Sequence, residues 1–149
     1  MQGLHMMGKL FAFSTKCGNF LQSLALLGLR AAIVKVFFLS GLTKIQSWDN
    51  TLLLFQHEYQ VPGLPYEVAA ILGTATEITI PIFIALGLGA RFPALILFIF
   101  NAVATYSYAH ALTPAGLENH IVWGITLLAL FAFGPGKISL DYLLVRSDT

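Results

Sequence analysis

Residues 93–109 read PALILFIFNAVATYSYA, an apolar run with no formal charge. A stretch of this kind, near ~20 residues long, crosses the hydrocarbon core of a bilayer as one helix. Working outward, the run extends to Phe92–Ala111, and three more segments share its character. They are Phe20–Leu42, Val68–Leu88 and Asn119–Phe133. The composition agrees. Of 149 residues, 57% are hydrophobic and 10% charged, with a mean hydropathy of +0.79. A soluble domain carries about 25% charge, and one of this length cannot bury so much apolar surface. The expected fold is all-α: an integral membrane four-helix bundle, forming one transmembrane domain over residues 1–149.

Punctuation fits that reading. Gly87-Leu88-Gly89 makes a tight turn before Arg91, Thr113–Gly116 breaks the chain, and Gly134-Pro135-Gly136 stops the fourth span. The long connection from Gln46 to Pro65 contains TLLLFQHEY, with Leu52, Phe55 and Tyr59 at helical spacing. It reads as an interfacial helix in the first outer loop, capped by Asp49 or Asn50 and anchored by Trp48 and Tyr59. The tail KISLDYLL reads as a short amphipathic turn on the membrane surface.

Lysine and arginine set the orientation. Four spans place Lys9, Lys16, Arg91, Lys137 and Arg146 on one side and Lys44 alone on the other. Both termini are therefore expected in the cytoplasm, and the protein in the bacterial inner membrane. No signal peptide is evident. The net charge of +1 excludes a nucleic-acid partner. The one cysteine, Cys17, forms no internal disulfide, CxxC pair or thiolate metal site.

Charges inside the spans are the informative residues. Each costs about 2.5–3.5 kcal/mol at a bilayer centre, so each should face a partner, water or the bundle interior. At ~100° per residue, Arg30, Phe37, Gly41 and Lys44 share one stripe of the first span, and Lys35 points ~140° away from Arg30. Lys35 lies ~12 Å inside the outer end of its span and Glu77 ~14 Å inside that of the second, on the 1.5 Å helical rise. Level spans would pair these two as ions or through a shared water site. Arg30, deeper, would use backbone carbonyls or lipid phosphates. Glu77 shares its face with Ala70, Gly73, Thr74 and Pro81, residues small enough to mark a packed face. It reads either as a register-fixing salt bridge or as part of a polar pocket for a quinone headgroup, a proton or an ion. The intramembrane site drawn from these residues is Arg30, Lys35, Lys44, Glu77 and His110. His110 ends the third span beside Tyr106 and Tyr108, where it can hydrogen-bond a headgroup or substrate.

No histidine lies near the midplane, which rules out a bis-histidine haem. His57, Glu58, Glu118 and His120 share the outer layer and offer ligands to a transition metal. Their spacing matches no dense metal motif, and solvated interfacial residues are the plainer alternative. Asn101, Thr105 and Tyr108 form a mildly polar stripe of the helix-packing kind. Phosphate-loop, GxSxG, HExxH and dinucleotide signatures are absent.

An ordered set of short motifs resembles the DoxX family. Arg30 and Gly41-Leu42-x-Lys44 resemble its first helix, and Glu77 with Leu86-Gly87-Leu88-Gly89-x-Arg91 its second helix and turn. His120-x-x-Trp123-Gly124 and Gly134-Pro135-Gly136-Lys137-x-Ser139-Leu140-Asp141 are similar to its fourth helix and C-terminal signature. The likeness covers about residues 24–144. SGLTKIQSW, from Ser40 to Trp48, resembles a proteobacterial branch, some of whose members accompany small-peptide or metal-stress operons. The resemblance implies an inner-membrane four-helix bundle serving as a small subunit of a quinone-linked redox complex or of a stress-response complex. Its cofactor would be a quinone, and its partners the bilayer, other subunits or copies of itself. The alternative is a non-enzymatic binding, transport or assembly partner, metal- or peptide-related. Lys35 lies outside the family pattern.

Overall fold

In the computed structural model the backbone is described for residues 2–59 and 61–147, and side chains for 14–59 and 61–145. The side chains of His5, Lys9 and Arg146 lie outside the described residues. Every regular element among those described is a helix: α1 (Gln2–Gln46), α2 (Trp48–His57), α3 (Tyr66–Leu86), α4 (Arg91–Ser107), α5 (Pro114–Phe133) and α6 (Leu140–Ser147). Three stretches are long and apolar enough to cross a membrane: Ser14–Gln46 of α1, α3 and α5. The fourth, α4, is apolar and shorter. The four long helices pack in a ring, α1 on α3, α3 on α4, α4 on α5 and α5 on α1. Leu26, Ile33, Phe37, Ile84, Leu97 and Leu127 fill its centre. A second apolar cluster joins Phe55 of α2 to Ala69 and Ala70 of α3.

The boundaries depart from the sequence reading at each end where local chemistry decides. The fourth helix starts at Pro114, not Asn119. Thr113 Oγ1 accepts from the Gly116 amide at 3.1 Å, and Pro114 occupies the first turn, where its missing N–H costs nothing. The third ends at Ser107, because Tyr108–Ala111 wind into turns instead. Neither Asp49 nor Asn50 caps α2. Ser47 alone separates it from α1, and the Thr51 hydroxyl donates to the Lys44 carbonyl at 2.9 Å.

This tight corner fixes the register of the bundle. Gly41 of α1 lies against Glu77 and Ile78, so closely that an added Cβ would stand 2.6 Å from Ile78 Cγ1. Glu77 is close to the midpoint of α3. The end of α1, five residues beyond Gly41, therefore falls short of the start of α3, and α2 flanks the remaining turns through Phe55 against Ala69, Ala70 and Gly73.

At the opposite end of the ring, Arg30 is 2% exposed and ties three segments together. Its Nε donates to the Ile84 carbonyl at 2.8 Å and Nη2 to Ala85 at 2.5 Å, in the last turn of α3. Its Nη1 donates to Pro135 at 3.1 Å and Ile138 at 2.6 Å, beyond α5. Gly87 closes α3 at φ 66°, and a Cβ there would lie 2.5 Å from Ser139 and 2.8 Å from Arg30 Nη2. Asp141, in the first turn of α6, accepts from the amides of Gly89 and Ala90, just before α4. The glycine turns and the tail motif thus form one clamp around a buried guanidinium.

Candidate functional site

Glu77 is the acid of a buried ion pair, and its partner is Lys44. Lys44 Nζ lies 2.6 Å from Glu77 Oε2, with side-chain exposures of 11% and 8%. Ser40 completes the group. Its hydroxyl donates to Glu77 Oε1 at 3.2 Å and accepts from Lys44 Nζ at 2.9 Å. Ser40 and Lys44 are neighbours one turn apart on α1, so one helix presents both to the carboxylate.

The expected pairing of Lys35 with Glu77 is therefore wrong. It assumed that neighbouring spans end at one level. Because α1 stops short of the start of α3 and hands over to α2, the turn level with Glu77 is Ser40–Lys44, and Lys44, nine positions beyond Lys35, takes the carboxylate. Lys35 is exposed on the outside of the bundle. The stripe itself holds: Arg30, Phe37 and Gly41 are buried and Lys44 is half-buried. On α3, Ala70, Gly73, Thr74 and Pro81 are buried with Glu77.

Beside the ion pair is a half-open cavity of ≈ 140 Å³, bordered by Lys44 of α1, by α2, by Val61 and Leu64, and by α3 and α4. Lys44 and Glu77 give it polar lining, and Phe55, Gly73, Phe100 and Ala104 give it apolar walls. Ser107 also lines it, and Ser107 Oγ is buried with no hydrogen-bond partner. A buried hydroxyl left unpaired costs about 1–3 kcal/mol unless an occupant satisfies it. Tyr59 borders the cavity, its ring between Phe55 (centroids 4.9 Å apart) and Tyr108 (5.0 Å). Burial, then the charge of Glu77 and the neighbouring Tyr108, push the Tyr59 phenol up to about 12. It stays an O–H donor at any physiological pH.

Lys44 and Tyr59 border a second, polar cavity of ≈ 510 Å³, lined by Ser40, Thr43, Ser47, Asn50 and Thr51 at the α1–α2 corner. The ion pair thus stands between an apolar chamber and a polar vestibule. Lys44 Nζ has three N–H donors. Two meet Ser40 and Glu77, which leaves one for an occupant.

The other sequence candidates lie elsewhere. Arg30 is in the clamp at the far end of the ring. His110 is exposed and touches Tyr108 edge-on at 6.2 Å, outside the cavity lining. His120 is not a solvated group. Its Nδ1 pairs with Asn101 Oδ1 at 2.7 Å, and Asn101 Nδ2 donates to the His120 carbonyl at 2.9 Å. That exchange joins α4 to α5, as the polar stripe through Asn101 suggested. His57 and Glu118 are exposed and Glu58 half-exposed. No three His, Cys, Asp or Glu side chains among the described residues gather to hold a metal ion. Sequence reasoning missed Ser40, Ser107 and the cavity role of Tyr59. Ser40-x-x-x-Lys44 was the one available signal, a polar pair at helical spacing beside Gly41.

Comparison with known proteins supplies the family. The DoxX family profile matches residues 25–111, which hold α1 from its middle, α2, α3 and α4. The likeness read from sequence extended to about residue 144, past that match. An uncharacterized protein of Haemophilus influenzae (strain ATCC 51907 / DSM 11121 / KW20 / Rd) is 31% identical over 130 residues, covering 82% of this chain and 84% of the relative. No solved structure matches the chain.

Proposed function

The chain belongs to the DoxX family of membrane proteins, and from that premise we propose that it binds the single ring of a quinone beside Lys44 and Glu77. It does so as a small subunit of a quinone-linked redox or stress-response complex in the inner membrane. The observation that carries this reading is the lining of the cavity. An apolar chamber holds a spare lysine N–H at one point and an unpartnered serine hydroxyl at another. A ring bearing oxygens at two positions answers both. A void of ~150 Å³ takes one benzene ring; the half-open chamber of ≈ 140 Å³ has room for the bare ring, with its larger substituents outside.

Each side chain has a role. Lys44 donates to one ring oxygen, and Ser107 or Tyr59 to another. Glu77, next to Lys44 and Ser40, gives or takes the protons. Reduction of a quinone to its quinol takes two electrons and two protons. The electrons come from a redox partner subunit, and the protons reach Glu77 from the polar vestibule past Ser40. The end carrying Arg91 and Lys137 faces the cytoplasm, by the distribution of basic residues. The vestibule then opens toward the outer face, where α2 lies at the level of the outer leaflet.

Binding of a short-chain, single-ring ubiquinone to the purified chain, read by quenching of its tryptophan fluorescence, tests the proposal. Saturable binding is expected. Glu77→Gln and Ala104→Leu, the latter filling the cavity, should weaken it at least tenfold. Absence of saturable binding, or full binding by the cavity-filled variant, would leave the ion pair as a register-fixing contact in a non-enzymatic partner.

A further inference from the structure

Lys35 is the buried-charge problem turned inside out. It lies within the apolar segment Ser14–Gln46, yet its side chain is exposed on the outside of the ring. Among the described residues no carboxylate stands within ion-pair distance of it. A cation on the lipid-facing side of a helix takes an anion or extends its stem toward the headgroups.

Depth decides between hydrocarbon and headgroup. Arg30 marks the end of the ring, since its acceptors are the last turn of α3 and the segment beyond α5. Lys35 is five residues further along α1, ~7.5 Å inside that end at the helical rise. A lysine stem spans most of that distance, so the ammonium reaches headgroup level. A groove of ≈ 320 Å³ is present there, lined by Leu27, Arg30, Ala31, Val34, Lys35 and Ala85. The Arg30 guanidinium has five N–H groups. Four are taken by carbonyls, and one on Nη2 has no acceptor among the described residues.

We propose that this groove binds the headgroup phosphate of an anionic phospholipid, held by Lys35 over the Arg30 guanidinium. Its proximal acyl carbons lie against Leu27, Ala31 and Val34. Basic pockets between membrane helices are the known setting for such headgroups. Asp141 already stands near Arg30, so Lys35 is the cation left to be offset. A zwitterionic lipid brings its own ammonium along with its phosphate and leaves the net charge of the groove unchanged, whereas an anionic lipid neutralises it. This site is separate from the Lys44 cavity and does not depend on the quinone reading.

Native mass spectrometry and thermal unfolding of the full chain in detergent test it, with added dioleoyl phosphatidylglycerol, dioleoyl phosphatidylcholine or inorganic phosphate. Phosphatidylglycerol should be retained and raise the Tm, and the other two should do neither. Lys35→Gln should lower retention about fivefold, the factor one basic residue contributes at an anionic surface. Lys16→Gln, an exposed cation of α1 outside the groove, should retain the lipid like the parent. Four results would overturn the proposal: equal retention by Lys35→Gln, equal retention of the two lipids, an equal Tm rise with inorganic phosphate alone, or conversion of a dimer to a monomer by Lys35→Gln. The last would assign the cation to an interface between copies.

Discussion

Arg30 and Lys44 sit on one stripe of α1, about four turns apart, and are buried in opposite ways. Arg30 is closed in by backbone. Four carbonyls from two distant segments surround it, and Gly87 leaves no room for even a methyl group. Lys44 is paired by a side chain, beside a cavity, with one donor to spare. A cation held by backbone carbonyls cannot change partners without unfolding helix ends. A cation held by a carboxylate next to a void can share its proton and its hydrogen bonds. The first arrangement ties helix ends together, and the second leaves a donor facing a void.

If that contrast is sound, damage at the two ends should differ in kind. Arg30→Met should have the largest effect. It strands four carbonyl acceptors, one buried and three partly buried, and should cost about 5 kcal/mol, a fall in Tm of about 10–20 °C by thermal unfolding. A Tm within a few degrees of the parent would mean that water already serves those carbonyls. Glu77→Leu comes next. It leaves Lys44 buried without its counter-charge, a loss of about 3–5 kcal/mol, readable in the same scan. Gly87→Ala should cost about 2 kcal/mol, from the left-handed backbone and from contact with Ser139. It should leave ring-ligand affinity unchanged, because it acts at the clamp alone.

The smallest effect sharpens the Lys44 end. Tyr59 has its folded pKa raised from 10.0 to about 12. Its stabilising contribution is complete below pH 10 and is lost as pH rises through about 12. Absorbance of phenolate should therefore show a tyrosine titrating near pH 12, and Tyr59→Phe should remove it and flatten the alkaline fall in stability. Titration of every tyrosine near pH 10 would place Tyr59 in water.

Much of this was legible in the sequence, because helical periodicity reports faces well. The positions Arg30, Phe37, Gly41 and Lys44 fell on one stripe at 100° per residue, and Glu77 on a face of small residues. Depth was less legible. Counting from span ends put Lys35 opposite Glu77, since nothing in the periodicity shows that α1 stops short of the start of α3. The register of α1 against α3 is a tertiary feature, fixed where Gly41 meets Glu77 and Ile78. Tyr59 and Ser107 were missed for a related reason. They stand where helices end, and residues there join a cavity through chain direction rather than periodicity. His120 looked solvated because its partner Asn101 comes from another helix.

On the proposed function, the Lys44–Glu77 pair is kept for a ligand and not for the fold. The double variant Lys44→Met/Glu77→Leu tests it most directly, with Tm and single-ring quinone binding read on the same sample. A buried pair replaced by apolar residues of similar volume is often neutral or stabilising. The expected result is a Tm near or above that of the parent, with ring binding lost. A variant that binds the ring as the parent does, or one that fails to fold while Glu77→Gln folds normally, would contradict the claim.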